Sequence, residues 1–293
     1  MATEIVLITG ANGYLALHII QNALNRGWNI VGTKPRHHGS DRRGLTHSSD
    51  PKDQKTGVVN TAINRGLVIL NAASRYGGMP LKRVIHVGSF SSTVNFELGD
   101  APGLTYGPDT WNPTTYEQAV SRDYVSDYVG PKVLVERVMW DFMKAKRSFG
   151  LATVLPATIF GPHIAEPDLD NLNVSSRMLW ELASPSKSPS PWHSYHMGAW
   201  VDVSEAGGQC FVAAQRTHWQ FVRDAARYSD ELRVRVDPGT PGAGKAVRAT
   251  TYDGDGSKVA TVLGLIYTTL PVSVKDSLEQ LIATEKRRDL ERE

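Results

Sequence analysis

The chain has 293 residues, 41% of them hydrophobic, with a formal net charge of +2. That is enough apolar material for one large domain or for a large and a small one, and the absence of a dense Lys/Arg block excludes a nucleic-acid or membrane-surface protein. A single cysteine, Cys210, rules out an internal disulfide, and no apolar run approaches the ~20 residues that cross a bilayer, so the expectation is a cytoplasmic protein in a reducing compartment.

Residues 4–9 (E-I-V-L-I-T) form a continuous aliphatic run, the pattern of a parallel strand buried on both faces. The next residues, Gly10-Ala11-Asn12-Gly13-Tyr14-Leu15-Ala16, lead into helical apolar spacing. Gly10 permits a tight strand-to-helix turn, Gly13 lets backbone approach a pyrophosphate, and the free N–H groups opening the helix face the phosphates. Gly10, Asn12, Gly13, Tyr14 and Leu15 are therefore the expected cofactor contacts. Residues 28–33 read as a second strand, whose end is where an acid favours NAD and a base accommodates the 2'-phosphate of NADP. Here Lys34-Pro35-Arg36 follows without an acid, so Lys34 and Arg36 point to NADP(H), with NAD(H) as the alternative.

Residues 36–55 contain almost nothing apolar and read as loop. His37, His38 and His47 lack the carboxylate or cysteine spacing of a metal centre, so no metal site is expected. A helix pattern runs from about Gly57 to Tyr76 and stops at Gly77-Gly78. The strand at residues 83–87 then delivers Gly88-Ser89 to its carboxyl end, the ligand-facing rim of an open α/β sheet.

Tyr128 and Lys132 stand four apart at the start of another helical pattern, which puts both head groups on one face. A phenol titrates at about pH 10 in water, and a neighbouring ammonium stabilises its anion, making such a tyrosine able to do proton work near neutrality. Alone the pair is weak evidence, because a surface Tyr/Lys at this spacing arises readily by chance. Pro131 is tolerable only if the helix begins within about three residues before it. Downstream, Trp192, His193, Tyr195 and His196 are pocket candidates in a Ser/Pro-rich loop. Residues 230–236 alternate like a short strand, residues 273–288 read as a terminal helix, and Lys286-Arg287-Arg288 reads as its solvated face.

The N-terminal T-G-A-N-G-Y-L-A, the G-S-F after the third strand pattern, Y-V-G-P-K at residues 128–132 and L-P-A-T-I-F-G-P at residues 155–162 occur in a characteristic order. With Trp111-Asn112-Pro113, A-W-V-D-V at residues 199–203, G-T-P-G at residues 239–242 and Y-D-G at residues 252–254, this order resembles the extended short-chain dehydrogenase/reductases. The resemblance is to their dihydroflavonol-reductase branch, in particular to fungal NADPH-dependent aldehyde and ketone reductases, and it covers most of the chain. It implies an α/β architecture, a Rossmann-type doubly wound parallel sheet at residues 1–162 with residues 199–217 added. A smaller mixed α/β substrate lobe and C-terminal helix would take residues 163–198 and 218–293. The implied reaction is reversible reduction of a ketone or aldehyde by NADP(H), with Tyr128 as proton donor, Lys132 on the cofactor ribose, Ser89 on the carbonyl oxygen, and Pro156 and Ile159 beside the nicotinamide. The implied partner is a small carbonyl or alcohol substrate, with neither nucleic acid nor membrane, and the chain is a monomer or homodimer.

Two departures from the family pattern stand out. Between the second strand and the helix at about residue 57, relatives carry two further strands with helices, whereas only some twenty polar residues stand here, and one strand with its crossover already takes about 15–18. A second block is missing near residues 216–219. A thin sheet is expected, with the first strand lacking its inner neighbour or paired with a short makeshift one. A catalytically impaired descendant of the family and a sugar-nucleotide epimerase or dehydratase are the competing readings, the latter disfavoured because no diphosphate-binding Arg cluster is evident.

Overall fold

The computed structural model describes residues 4–33, 51–121, 128–145, 147–184, 199–202 and 211–292. Lys34, Arg36, the three histidines at 37, 38 and 47, the aromatic residues at 192–196 and Cys210 lie outside the described residues.

The N-terminal part runs β1 (Ile5–Thr9), α1 (Tyr14–Asn25), β2 (Asn29–Thr33), α2 (Pro51–Tyr76), β3 (Arg83–Val87), β4 (Thr105–Tyr106), α3 (Tyr116–Ser121), α4 (Gly130–Met143) and β5 (Gly150–Pro156). It continues through β6 (Thr158–Phe160), α5 (Val174–Ala183), β7 (Ala199–Asp202), β8 (Phe211–Ala213) and β9 (Gln215–Arg216). The chain then passes through α6 (Trp219–Ala226), α7 (Asp230–Arg235), α8 (Gly244–Arg248), β10 (Asp253–Gly254), α9 (Ser257–Leu263) and α10 (Leu270–Leu290).

The alternation of strand and helix yields parallel pairing, as βαβ crossovers require. β1 pairs with β2, Ile5 opposite Asn29, and β3 pairs with β5, Arg83 opposite Gly150. β5 continues in parallel to β8. Among the described residues these form two separate ribbons, β1-β2 and β3-β5-β8; a third, β6-β7-β9, carries the antiparallel β9, and β10 pairs with β4. The sheet is thus split between β1 and β3, and Lys82 reaches across that split to Glu4 at 2.5 Å.

The split corrects the expectation that β1 is buried on both faces. Ile5 is 69% and Leu7 63% exposed: just the Val6/Ile8 face is covered, and among the described residues β1 has a strand partner on one edge only. Two element expectations are also corrected. α2 starts at Pro51 rather than near residue 57; proline suits a helix's first turn, where its missing N–H has no partner to lose. Residues 230–235 are helical, not a strand. Ser229 accepts from Leu232 N at 3.2 Å, with acids in the first turn and arginines in the last, and this capping and charge order outweighs a short alternating pattern.

The largest core lies in the C-terminal part, where Phe160, Trp180, Trp200, Trp219, Leu278 and Leu281 are buried together. α10 adds a polar row to this core. Ser273 Oγ donates to Asp202 Oδ2 at 2.5 Å, and Ser277 Oγ accepts from Gly161 N at 2.9 Å. Gln280 accepts from His163 N at 2.6 Å and donates to His163 O at 2.7 Å. Lys286, Arg287 and Arg288 face solvent as expected, and each also pairs with an acid: Glu231, Glu166 and Asp170 respectively.

Candidate active site

β3 ends at Val87, and Gly88 N extends its ladder to Val154 O at 2.8 Å. A Cβ on Gly88 would stand 2.7 Å from Leu155 Cδ2, so glycine is what lets β3 and β5 stay this close at their carboxyl ends. Ser89 then caps a short 3-10 turn, Phe90–Ser92. Its Oγ accepts from Ser91 N at 3.3 Å and from Ser91 Oγ at 2.9 Å, which leaves the Ser89 hydroxyl hydrogen free to point elsewhere. Tyr128 OH lies 3.4 Å from Ser89 Oγ.

The turn is held from beneath by residues whose roles the sequence alone did not reveal. Buried Asn112 donates through Nδ2 to Ser91 O at 2.9 Å, and its backbone N donates to Ser92 O at 2.8 Å. The Arg137 guanidinium, on α4, donates to Thr114 O at 2.7 Å and to Asn112 O. Asn112 sits in the Trp-Asn-Pro tripeptide already noted, and a polar residue flanked by a tryptophan and a proline was the available signal for it. Arg137 carried no such signal.

Tyr128 occupies the turn leading into α4, with Pro131 in the first turn of the helix as the sequence required. Lys132 Nζ lies 5.9 Å from the centroid of the Tyr128 ring. One helical turn further on, Glu136 is 1% exposed. Burial raises its carboxyl's pKa, and Ser92, Thr153, Trp140 and the Lys132 ammonium act against that rise. The opposition is incomplete, because Glu136 Oε2, Ser92 Oγ and Trp140 Nε1 lack a hydrogen bond of good geometry. On β3, burial and then the Lys132 charge bring the His86 imidazole down to about 4. The Lys132 charge therefore acts on a buried carboxyl and a half-buried neutral imidazole.

At the other end of the chain's first βα unit, Gly10 has φ +65° and its carbonyl accepts from Gly13 N at 2.9 Å. A Cβ on Gly13 would meet Gly10 O at 3.2 Å. α1 opens with no acid in its first turn and no side-chain cap, which leaves first-turn N–H groups available to an anion. The turn fits a dinucleotide pyrophosphate on these grounds. Tyr14, a predicted cofactor contact at the start of α1, turns its hydroxyl to Gly161 O at 2.7 Å and packs its ring 4.6 Å from that of His163. His18 Nε2 lies 3.0 Å from Pro162 O. Tyr14 and His18 thus tie α1 to the loop after β6, while Asn12 lies in the turn and Leu15 in the first helical residues. Pro156 closes β5 opposite Ala213, near the level of Ser89, and Ile159 on β6 packs with Val154, Val201 and Ala213. The structure therefore brings Ser89, Tyr128 and Lys132 together and puts Pro156 on the same rim. Among the described residues, no group of three or more His, Cys, Asp or Glu could hold a metal, and no helix is long and apolar enough to cross a membrane.

No protein-family model matches the chain. It is similar to the NADPH-dependent methylglyoxal reductase of Saccharomyces cerevisiae, 24% identical over 340 residues that span 96% of this chain and 99% of the relative. That stretch is longer than the chain itself, so the relative has segments that this chain lacks. Among solved structures, the chain matches the yeast methylglyoxal/isovaleraldehyde reductase complexed with NADPH, with a TM-score of 0.78, 21% identity and coverage of 97% of this chain and 99% of that one. It also matches vestitone reductase of alfalfa with a TM-score of 0.64, 17% identity and coverage of 96% and 99%. The fold is accordingly the α/β Rossmann-like fold of these reductases.

Proposed function

We propose that the chain is an NADP(H)-dependent oxidoreductase that reduces a ketone or aldehyde to an alcohol, reversibly, with Ser89, Tyr128 and Lys132 as its catalytic residues. The observation that carries this reading is the 3.4 Å approach of Ser89 Oγ to Tyr128 OH at the carboxyl rim, with the Lys132 ammonium behind the phenol ring. The similarity to reductases whose names and crystals specify NADPH supports the choice of cofactor and reaction.

Gly10, Gly13 and the first-turn N–H groups of α1 would hold the pyrophosphate, Lys132 the nicotinamide ribose, and Pro156 and Ile159 the nicotinamide side. Lys34 and Arg36, beyond the described end of β2, are assigned to the 2'-phosphate on sequence grounds. When bound, NADPH supplies the hydride. Tyr128 gives its phenolic proton to the carbonyl oxygen, and the free hydrogen of Ser89 donates to the same oxygen as it gains negative charge. Lys132 stabilises the resulting phenolate electrostatically. The Asn112–Arg137 brace keeps Ser89 in place during these steps.

A second reading, a reductase fold that has lost turnover, is favoured by the edge of β1 beside the proposed cofactor turn, which has no strand partner among the described residues. Incubation with NADPH and a panel of aldehydes and ketones separates the two. The reductase consumes NADPH, and Tyr128→Phe abolishes that consumption while leaving NADPH binding within about threefold. Activity within about tenfold of wild type in Tyr128→Phe would overturn the role of Tyr128. Absence of any thermal shift at about 100 times the dissociation constant expected for NADPH, where binding should add about 2.7 kcal/mol, would favour the second reading.

A further inference from the structure

Apart from Ser89, Tyr128 and Lys132, the C-terminal part holds a cleft of about 540 Å³ between α6 and the start of α10. Phe221, Asp224 and Ala225 share the three- and four-residue spacing that stacks side chains on one face of α6, Tyr228 follows just after its end, and Leu270 and Pro271 close the cleft from α10. Thr217 also lines it. Thr217 is 2% exposed, and its Oγ1 has no hydrogen-bond partner among the described residues. A buried hydroxyl left unpaired costs about 1–3 kcal/mol of stability.

The charge around the cleft is negative. Asp224 Oδ1 accepts from Gln220 Nε2 at 2.8 Å, and Asp224 forms no ion pair among the described residues. The Tyr228 phenol is pushed up to about 12, first by burial and then by Glu279, Glu231 and Asp276. It is therefore a neutral hydrogen-bond donor at neutral pH. Glu231 is answered by Arg235 and Lys286, and Glu279 by Lys275. Asp224 and Asp276 remain uncompensated among the described residues. Against these acids stand apolar walls, two of them aromatic rings whose faces attract cations.

We infer that this cleft is a binding site for a small organic cation: an ammonium group carried on an aromatic or branched aliphatic body. The body packs on Phe221, Tyr228, Leu270 and Pro271, and the ammonium pairs with the exposed Asp224 carboxylate at the edge of the cleft. A carboxylate of the same shape is excluded by the same acids. The volume is in the range that holds small-molecule ligands. None of these residues belongs to the proposed reductase machinery, so the inference stands or falls independently of it.

The test is calorimetric titration of the full chain with phenethylammonium and, separately, with phenylacetate. Saturable one-to-one binding of the amine is expected, with none of the carboxylate. Asp224→Asn, an exposed position whose folding is checked by circular dichroism, should weaken the amine at least about tenfold, equivalent to about 1.4 kcal/mol. Thr217→Val should leave amine binding as in wild type and should raise the melting temperature of the unliganded protein by removing the unpaired hydroxyl. Tyr128→Phe should bind the amine as wild type does. Equal binding of amine and carboxylate, no heat at millimolar amine, or an Asp224→Asn titration that matches wild type would overturn the site.

Discussion

The Lys132 charge acts on both His86 and Glu136, whose shifts are of opposite sense, and each predicts a pH dependence of stability. His86 is depressed from 6.5 to about 4, so its folded form resists protonation. Stability linked to it is complete above pH 6.5 and is lost as pH falls towards 4, by roughly 3 kcal/mol if the whole shift is expressed. Glu136 is raised. Its contribution is complete below the ordinary carboxyl range and is lost as pH rises through its folded value, because ionising it there strands a buried charge. Urea unfolding at pH 7 and pH 4.5 should therefore show a smaller acid-induced loss in His86→Leu than in wild type. Glu136→Gln should gain on wild type at pH 7 and surrender that gain at pH 4.5. Parallel pH profiles for wild type and His86→Leu would show that His86 is not the buried titrating group. The Tyr128–Lys132 spacing and the placement of Ser89 after a strand were legible, because helical period and strand direction fix them locally. The functions of Asn112, Arg137, His86 and Glu136 were not, since they exist only once α4 is laid against β3 and the residue 112–114 segment.

The packing of α2 on α4 depends on one glycine. A Cβ on Gly66 would stand 2.6 Å from Val135 Cγ2 and 3.2 Å from Met139 Cγ. In an open helix, Gly→Ala gains about 1 kcal/mol of propensity. Here Val135 is branched at Cβ and buried, so it cannot swing aside, and overpacking costs about 1–3 kcal/mol. The second effect wins, and Gly66→Ala should lower the melting temperature by a few degrees. A rise would mean that the two helices separate more freely than this contact implies. α2 as an element was readable from its apolar period, whereas its start at Pro51 was hidden by the polar residues before Gly57 and the demand for a glycine at 66 by the absence of any local need for one. The misread α7 makes the complementary point: a short alternating string carries less information than a serine cap followed by acids and then arginines.

At the scale of the molecule, a shortage was legible in the sequence, because twenty polar residues cannot supply two strands and their helices. What the sequence of β1 expressed was a strand made for neighbours on both sides; among the described residues it has one. Ile5, Leu7 and Val31 on the first ribbon and Ile85, 56% exposed, on the second are left in water, beside strand edges that have no strand partner among the described residues. Such edges recruit other strands, so the protein should self-associate as concentration rises. The large core around Trp180, Trp200 and Trp219 does not depend on this region. Hydrogen exchange should therefore be fast across β1 and β2 and slow across α10 in the same molecule. Leu7→Lys places a charge on the exposed face of β1 without entering any buried cluster, and it should shift the species seen by light scattering towards monomer while leaving the α10 protection unchanged. If association is undiminished in Leu7→Lys, the edge of β1 is not the contact. If protection of α10 falls along with it, the two regions share one cooperative core and the split in the sheet does not weaken the molecule locally.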